Sequence, residues 1–221
     1  VDMGTFGDFM INYSYIFHFV TALGMVTLFL FVDFNTISPG ANDNLTGTYA
    51  AVCALRMLDM AGVDFENTEV CAMITDGEEA GLRGCKSWAK NHYDEYVNSG
   101  VETVVLCVDT LTDREYLRVY NKDMTGTVKN NQQFSQFVMD ASKDAGHDDL
   151  ELSSVFFGSS DAAAFSQAGI TATCLAAMDP RPADYYHNRR DTADRLVPET
   201  IKTGFDVIIS TILNFDEKGL N

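Results

Sequence analysis

The stretch that decides the fold is Val70-Cys71-Ala72-Met73-Ile74, followed by Thr75-Asp76-Gly77-Glu78-Glu79-Ala80-Gly81-Leu82-Arg83-Gly84. The apolar run predicts a buried strand, and residues 84–97 predict a helix that carries Trp88. The two adjacent carboxylates would then lie at the carboxyl end of a strand, where open α/β sheets place their chemistry. One carboxylate could bind a metal ion while its neighbour moves a proton, although a solvated acidic loop can have the same sequence.

Apolar strands and amphipathic helices alternate along the rest of the chain after residue 42. The predicted helices are 45–62, 131–146, 160–168 and 198–216, and the further predicted strands are 104–108, 116–120, 154–157 and 172–175. This alternation predicts an α/β fold, a three-layer sandwich in which helices cover both faces of a mostly parallel mixed sheet.

The composition excludes some partners. Of 221 residues, 46% are hydrophobic and 21% are charged, so the chain can bury a substantial core. The 32 acidic residues outnumber the 15 basic ones and give a formal net charge of −17. The electric field of such a charge repels the phosphate backbone of a nucleic acid. It also opposes binding to an anionic lipid surface by charge alone. Clustered carboxylates can instead bind cations. We therefore expect no nucleic-acid partner.

The five cysteines include no C-x-x-C pair. Cys71, Cys107 and Cys174 lie in apolar, strand-like runs, where a free thiol behaves as a small hydrophobic side chain. We interpret them as reduced core residues rather than as a zinc–thiolate site. Reduced cysteines favour a reducing compartment, so the soluble domain is predicted to be cytoplasmic.

The first 37 residues differ in composition from the rest. Residues 10–32, MINYSYIFHFVTALGMVTLFLFV, are long enough as a helix to span about 30 Å of hydrocarbon. The segment lacks a basic n-region and a small-residue cleavage site, so it is a poor signal peptide, and a buried core helix is the competing interpretation. We predict a membrane-associated hydrophobic insertion at 1–37 and a separate domain at 38–221.

Four polar clusters each follow a strand or open a loop. They are Gly40-Ala41-Asn42-Asp43-Asn44, Glu78-Glu79, Asp109, and Tyr186-His187 with Asp191 close behind. Each has an ordinary alternative: Asp43 and Asn44 could cap a helix, Asp109 could end a turn, and His187 could be a surface histidine. Carboxylates and one histidine at a single sheet edge nevertheless match the ligand chemistry of zinc.

These motifs resemble those of the co-catalytic zinc aminopeptidases, the family of bacterial leucyl aminopeptidase and aminopeptidase Y. The bridging-aspartate motif is matched by 38–47, the Glu-Glu motif by 76–84, and the next metal aspartate by Val108-Asp109-Thr110. The Ser-Asp segment is matched by Gly158-Ser159-Ser160-Asp161, and the terminal Tyr-His signature by 186–192. Order and spacing agree from Ser38 to about Gly219.

The resemblance implies a zinc exopeptidase fold, also described as phosphorylase/hydrolase-like, that removes N-terminal residues from peptides or small amino-acyl substrates. It implies that Asp43 bridges two zinc ions, that Glu79 and His187 complete one site, and that Asp109 belongs to the other. Glu78 would be the general base. Asp161 and Tyr186 are candidate substrate-binding residues.

The chain also departs from the family pattern. No His-x-Asp motif precedes Asp43, where the family has one; Phe31-Val32-Asp33 offers the aspartate but not the histidine. We expect the motif, with the first strands of the sheet, to precede Val1 in a longer protein. Asn188 stands where the family usually has Thr, and Ala162 stands where His is common. Two alternatives stay open: a non-catalytic binding module with a peptidase fold, and glutaminyl cyclisation, which uses a single zinc.

Overall fold

The computed structural model describes residues 3–31, 36–181 and 183–220. They belong to two compact units, Val1–Ile37 and Ser38–Asn221. Because Val32 and Asp33 lie outside the described residues, the structure says nothing about the Phe31-Val32-Asp33 departure. The second unit contains all four polar clusters found in the sequence.

The described residues of the first unit form one helix, α1 (Met3–Phe31). Within it, Phe6–Leu30 has a mean hydropathy of 1.6 and is long and apolar enough to cross a membrane; a signal sequence near an N-terminus passes the same test. Its polar side chains bond to the helix backbone: Ser14 Oγ donates to Ile11 O (2.9 Å) and Thr27 Oγ1 to Leu23 O (2.8 Å). The helix therefore satisfies these hydroxyl groups internally, as an apolar environment requires.

The second unit is built on a five-stranded mixed sheet. Its strands are β1 (Val104–Asp109), β2 (Leu117–Asp123), β3 (Val128–Lys129), β4 (Leu152–Ser154) and β5 (Thr171–Ala177). β5 lies in the centre, parallel to β1 and antiparallel to β2, with Cys107 opposite Cys174. β2 also pairs with β3 in antiparallel and with β4 in parallel orientation.

Helices cover both faces of this sheet. One face carries α2 (Gly47–Met60), α4 (Gln132–Asp144) and α6 (Pro198–Lys218). The other carries α3 (Arg83–Tyr96) and α5 (Asp161–Gln167). Phe134 and Val207 are buried in the first core and Cys85 and Phe165 in the second. The predicted α/β class with helices on two faces is confirmed, although parallel and antiparallel pairings are equally frequent.

Local sequence signals explain where several helices begin or end. Asn131 precedes α4, and its side chain accepts a hydrogen bond from Phe134 N at 2.9 Å, an N-cap that satisfies an otherwise free donor. Pro198 occupies the first position of α6, where its missing N–H costs nothing. Gly62, at φ +68°, follows the end of α2.

The strand predicted at 70–74 is wrong. Within the described part of the chain these residues pair with no strand, and Cys71 and Ile74 are exposed. An apolar run predicts burial, but a strand also needs a neighbour for its N–H and C=O groups. Among the described strands, β1 pairs only with β5. The prediction that Cys71 is a core residue is wrong for the same reason, whereas Cys174 is buried and Cys107 half-buried.

The first residue of α2 packs directly on the carboxyl end of β1. A Cβ on Gly47 would overlap the carbonyl oxygen of Val108 and the side-chain oxygen of Asn44. Only glycine therefore allows α2 to approach β1 this closely.

We predict that Gly47→Ala lowers the free energy of unfolding by about 1–3 kcal/mol, because the added methyl group forces the helix from the strand. Urea denaturation of the full chain measures this. Helix propensity alone predicts the opposite sign, since alanine normally stabilises a helix relative to glycine. Arg56→Ala on the exposed side of α2 is the matched control, expected within about 0.5 kcal/mol of the wild type. Equal stability of the two variants would contradict the close packing of Gly47 against the end of β1.

Candidate metal centre

Three side chains from three separate loops converge at one place. Nε2 of His187 lies 3.2 Å from Oδ2 of Asp43 and 2.9 Å from Oε1 of Glu79. One potential ligand atom from each residue lies within 4.8 Å of the other two. Asp43 precedes α2, Glu79 precedes α3, and His187 lies between β5 and α6. The fold thus brings together residues that are far apart in the sequence; Asp43 and His187 are separated by 144 positions.

The donor set fits a zinc ion. Zinc holds oxygen and nitrogen ligands at about 2.0–2.2 Å in a tetrahedron, which places two ligand atoms roughly 3.3–3.5 Å apart. The observed separations of 2.9 and 3.2 Å need only small adjustments. Desolvation, followed by the nearby Glu79 carboxylate, raises the pKa of Asp43. A cation at this point would offset both effects, because it favours the charged form of each carboxyl group.

The loop of Asp43 is anchored by its two asparagine neighbours. Asn42 Oδ1 accepts hydrogen bonds from Leu111 N (3.1 Å) and Thr112 N (3.2 Å). Asn44 Oδ1 accepts from Thr110 N (3.1 Å), and Asn44 Nδ2 donates to Val108 O (3.0 Å). These bonds fix Asp43 relative to the end of β1. Asn44 Oδ1 also accepts a hydrogen bond from Gly47 N (2.9 Å), the first residue of α2. Asn44 therefore makes the kind of contact that a helix cap makes, in addition to its bonds to the end of β1.

Glu78 and Glu79 lie in a tight turn that leads into α3. The carbonyl oxygen of Glu78 accepts from Gly81 N (2.9 Å) and Leu82 N (2.8 Å), and Leu82 adopts a left-handed φ of +60°. Desolvation, followed by repulsion from Glu79 and then Asp161, raises the pKa of Glu78 to about 7. A half-buried carboxyl group whose pKa is near neutrality can both accept and release a proton.

Asp109 and Asp161 border the three-residue cluster without belonging to it. Asp109 ends β1, and burial, followed by repulsion from Asp43 and Glu78, raises its pKa well above the usual range. Thr110 follows it at φ +42°, rare for a β-branched residue, and its buried Oγ1 has no hydrogen-bond partner among the described residues. Asp161 Oδ2 accepts from Thr75 Oγ1 at 2.9 Å. Its buried Oδ1 has no partner in the described ranges.

Tyr186 is placed against the histidine of the cluster. Its ring stacks on that of His187, with centroids 3.7 Å apart and planes at 22°. His187 itself has φ +54°. Asn188 stabilises the turn, because its side chain accepts from Arg190 N (2.9 Å) and donates to Asp184 O (2.9 Å). The asparagine that replaces the usual threonine therefore contributes to holding His187 in position.

Carboxylate and histidine side chains that converge on loops beside an α/β sheet are typical of metal-dependent hydrolases. A family model described as "Peptidase family M28" matches residues 26–212. The chain belongs to peptidase family M28.

The relatives that it resembles are peptidases and cyclases. Aminopeptidase YwaD of Bacillus subtilis is 28% identical over 194 residues, which are 79% of this chain and 37% of that protein. The aminopeptidase LapA of Legionella pneumophila is 17% identical with a TM-score of 0.67, covering 82% of this chain and 48% of that one. BSAP, a zinc aminopeptidase from Bacillus subtilis, is 23% identical with a TM-score of 0.60, covering 80% and 42%.

A glutaminyl cyclase from an Acidobacteriales bacterium is 16% identical with a TM-score of 0.60, covering 81% of this chain and 63% of that one. At these identities the structural likenesses establish the fold alone. The chain spans less than half the length of the aminopeptidases that it matches.

We predict that zinc binds to the full chain and that His187→Ala weakens the binding by more than the 10- to 100-fold typical of an outer-shell change. Competition with a chromophoric chelator in detergent gives the dissociation constant. His92→Ala, an exposed histidine on α3, is the matched control and should leave the affinity unchanged. Equal zinc affinities of the two variants would show that His187 is not a ligand of the zinc ion.

Proposed function

We propose that this chain is the catalytic part of a zinc aminopeptidase that hydrolyses N-terminal peptide bonds. The observation that carries the proposal is the convergence of Asp43, Glu79 and His187, with Glu78 next to them. Family membership and the aminopeptidase relatives support the same reaction.

In this proposal Asp43, Glu79 and His187 hold a zinc ion, in agreement with the BSAP likeness. A bound zinc ion lowers the pKa of water and polarises a carbonyl group. Glu78 takes a proton from the attacking water and returns it to the leaving amine. Its raised pKa suits it to both steps near neutral pH. Asp161 and Tyr186 are proposed to contact the substrate.

The ligands present support a proposal for the number of ions. The described residues contain one group of three potential ligands, and Asp109 stands outside it. We propose one zinc ion for this chain, and two for a longer protein in which a His-x-Asp motif completes the Asp109 site. Elemental analysis of the purified full chain distinguishes one ion from two.

We expect Glu78→Gln to lower the hydrolysis of a leucyl-anilide substrate by about 10²- to 10⁴-fold, because the neutral amide cannot accept the proton. The assay uses the full chain, and zinc content should be retained. Glu66→Gln, an exposed glutamate before the motif, is the matched control and should keep full activity. Unchanged hydrolysis by Glu78→Gln would show that Glu78 is not the base.

Two alternatives are resolved by the same preparations. Glutaminyl cyclisation is favoured by the single three-ligand group and by the fold likeness to a cyclase. It would release ammonia from a peptide with N-terminal glutamine without releasing an amino acid. A non-catalytic binding module would bind no zinc and release neither product.

We also propose that residues 1–37 associate with a membrane and that the peptidase unit is cytoplasmic. The length and hydropathy of Phe6–Leu30 support the first part. We expect the full chain to float with neutral phosphatidylcholine vesicles, and a variant with Leu23 and Leu28 both replaced by Lys to lose this binding, because charge near a helix centre is costly in hydrocarbon. Replacing the exposed Lys86 and Lys90 of α3 by Gln is the control and should not change flotation.

A further inference from the structure

Asp191 is a fully buried carboxylate close to the candidate centre. It lies four residues after His187 and has no exposed surface. No ion pair joins it to a lysine or arginine within the described ranges. Burial of an unpaired charge is costly unless hydrogen bonds replace the lost water, so the partners of this side chain are informative.

Those partners are main-chain groups of the loop that carries Asp43. Oδ1 of Asp191 accepts from Asn42 N at 2.8 Å, and Oδ2 accepts from Asp43 N at 2.9 Å. The main-chain carbonyl of Asp191 accepts from Ala41 N at 3.2 Å. Three consecutive amides of one loop are therefore bonded to one residue of another. Bonds from N–H groups to a charged carboxylate are shorter and stronger than neutral ones.

A second connection joins the same two loops. Asn42 Nδ2 donates to the hydroxyl oxygen of Tyr185 at 3.1 Å, and that hydroxyl donates to Asp113. Tyr185 and Asp191 flank His187 in sequence. The loop that carries the histidine thus contacts the loop that carries the aspartate on both sides of the histidine.

We propose that Asp191 is a positioning residue for the metal centre, holding the Asp43 loop against the His187 loop so that the two ligands face one ion. This inference rests on the metal centre of the proposed function. Asp191 does not touch the ion; it fixes the main chain at Asp43. Its negative charge also adds to the potential that attracts a cation.

The test compares Asp191→Asn with Asp194→Asn in the full chain. Asparagine has the same size, but its NH₂ group would face one of the two amide donors, Asn42 N or Asp43 N, and the charge is lost. We expect zinc affinity, measured by chelator competition, to fall about 10- to 100-fold. Asp194 is exposed three residues further along, and its variant should bind zinc as the wild type does.

Two further readouts separate positioning from a general loss of structure. A purely structural role would lower the melting temperature of the zinc-free protein while the folded fraction keeps wild-type zinc affinity; that result overturns the inference. Hydrogen exchange on the wild type needs no variant, so it decides the matter if Asp191→Asn does not fold. The amides of Asn42 and Asp43 should be protected as strongly as those of α2, and exchange at the rate of exposed turns would also overturn it.

Failure of the proposed function gives a different result. If the wild-type chain binds no zinc, the metal centre itself is wrong. If the wild type binds zinc and Asp191→Asn binds it equally well, only the role of Asp191 is wrong.

Discussion

The arrangement of the centre depends on the hydrogen bonds that surround Asp43. Its neighbours Asn42 and Asn44 are bonded to the chain just after and just before the end of β1, and its own amide is bonded to Asp191. These contacts connect the Asp43 loop with the end of β1, which carries Asp109, and with the loop that carries His187. Glu79 reaches the centre separately, on a turn fixed by main-chain bonds at the start of α3. Rigid secondary structure positions the loops, and polar side chains fix their final separation.

Much of this could be predicted from the sequence. The alternation of apolar runs and amphipathic helices predicted the fold class, and the helices 131–146 and 198–216 correspond closely to α4 and α6. The ordered motifs drew attention to Asp43, Glu79 and His187, which the structure brings together, and to Asp109, which it places nearby. The confirmed fold class rests on hydrophobic periodicity, and the candidate site residues, which stay a prediction, rest on short motifs.

The remainder depends on long-range geometry. The apolar run 70–74 could not show whether a neighbouring strand was available, so its assignment failed along with that of Cys71. In the sequence Asn42 is an ordinary loop residue, Asn44 is a possible cap residue, and Asp191 is one residue of the 186–192 signature. Their long-range partners are 64 to 149 positions away. No periodicity encodes such pairings; an asparagine on each side of an aspartate was the only available signal.

Three loops at the site, those of Glu79, Asp109 and His187, each contain a non-glycine residue in the left-handed region, namely Leu82, Thr110 and His187. Conformations of this kind cost about 1–3 kcal/mol each and persist only where the surroundings determine them completely. The folded protein therefore holds these loops in order before any ion arrives, and ion binding need not supply that ordering free energy. The corollary is evolutionary: substitutions that relax these residues would raise stability and loosen the centre. Stability and the geometry of the centre therefore impose opposite demands on these three residues.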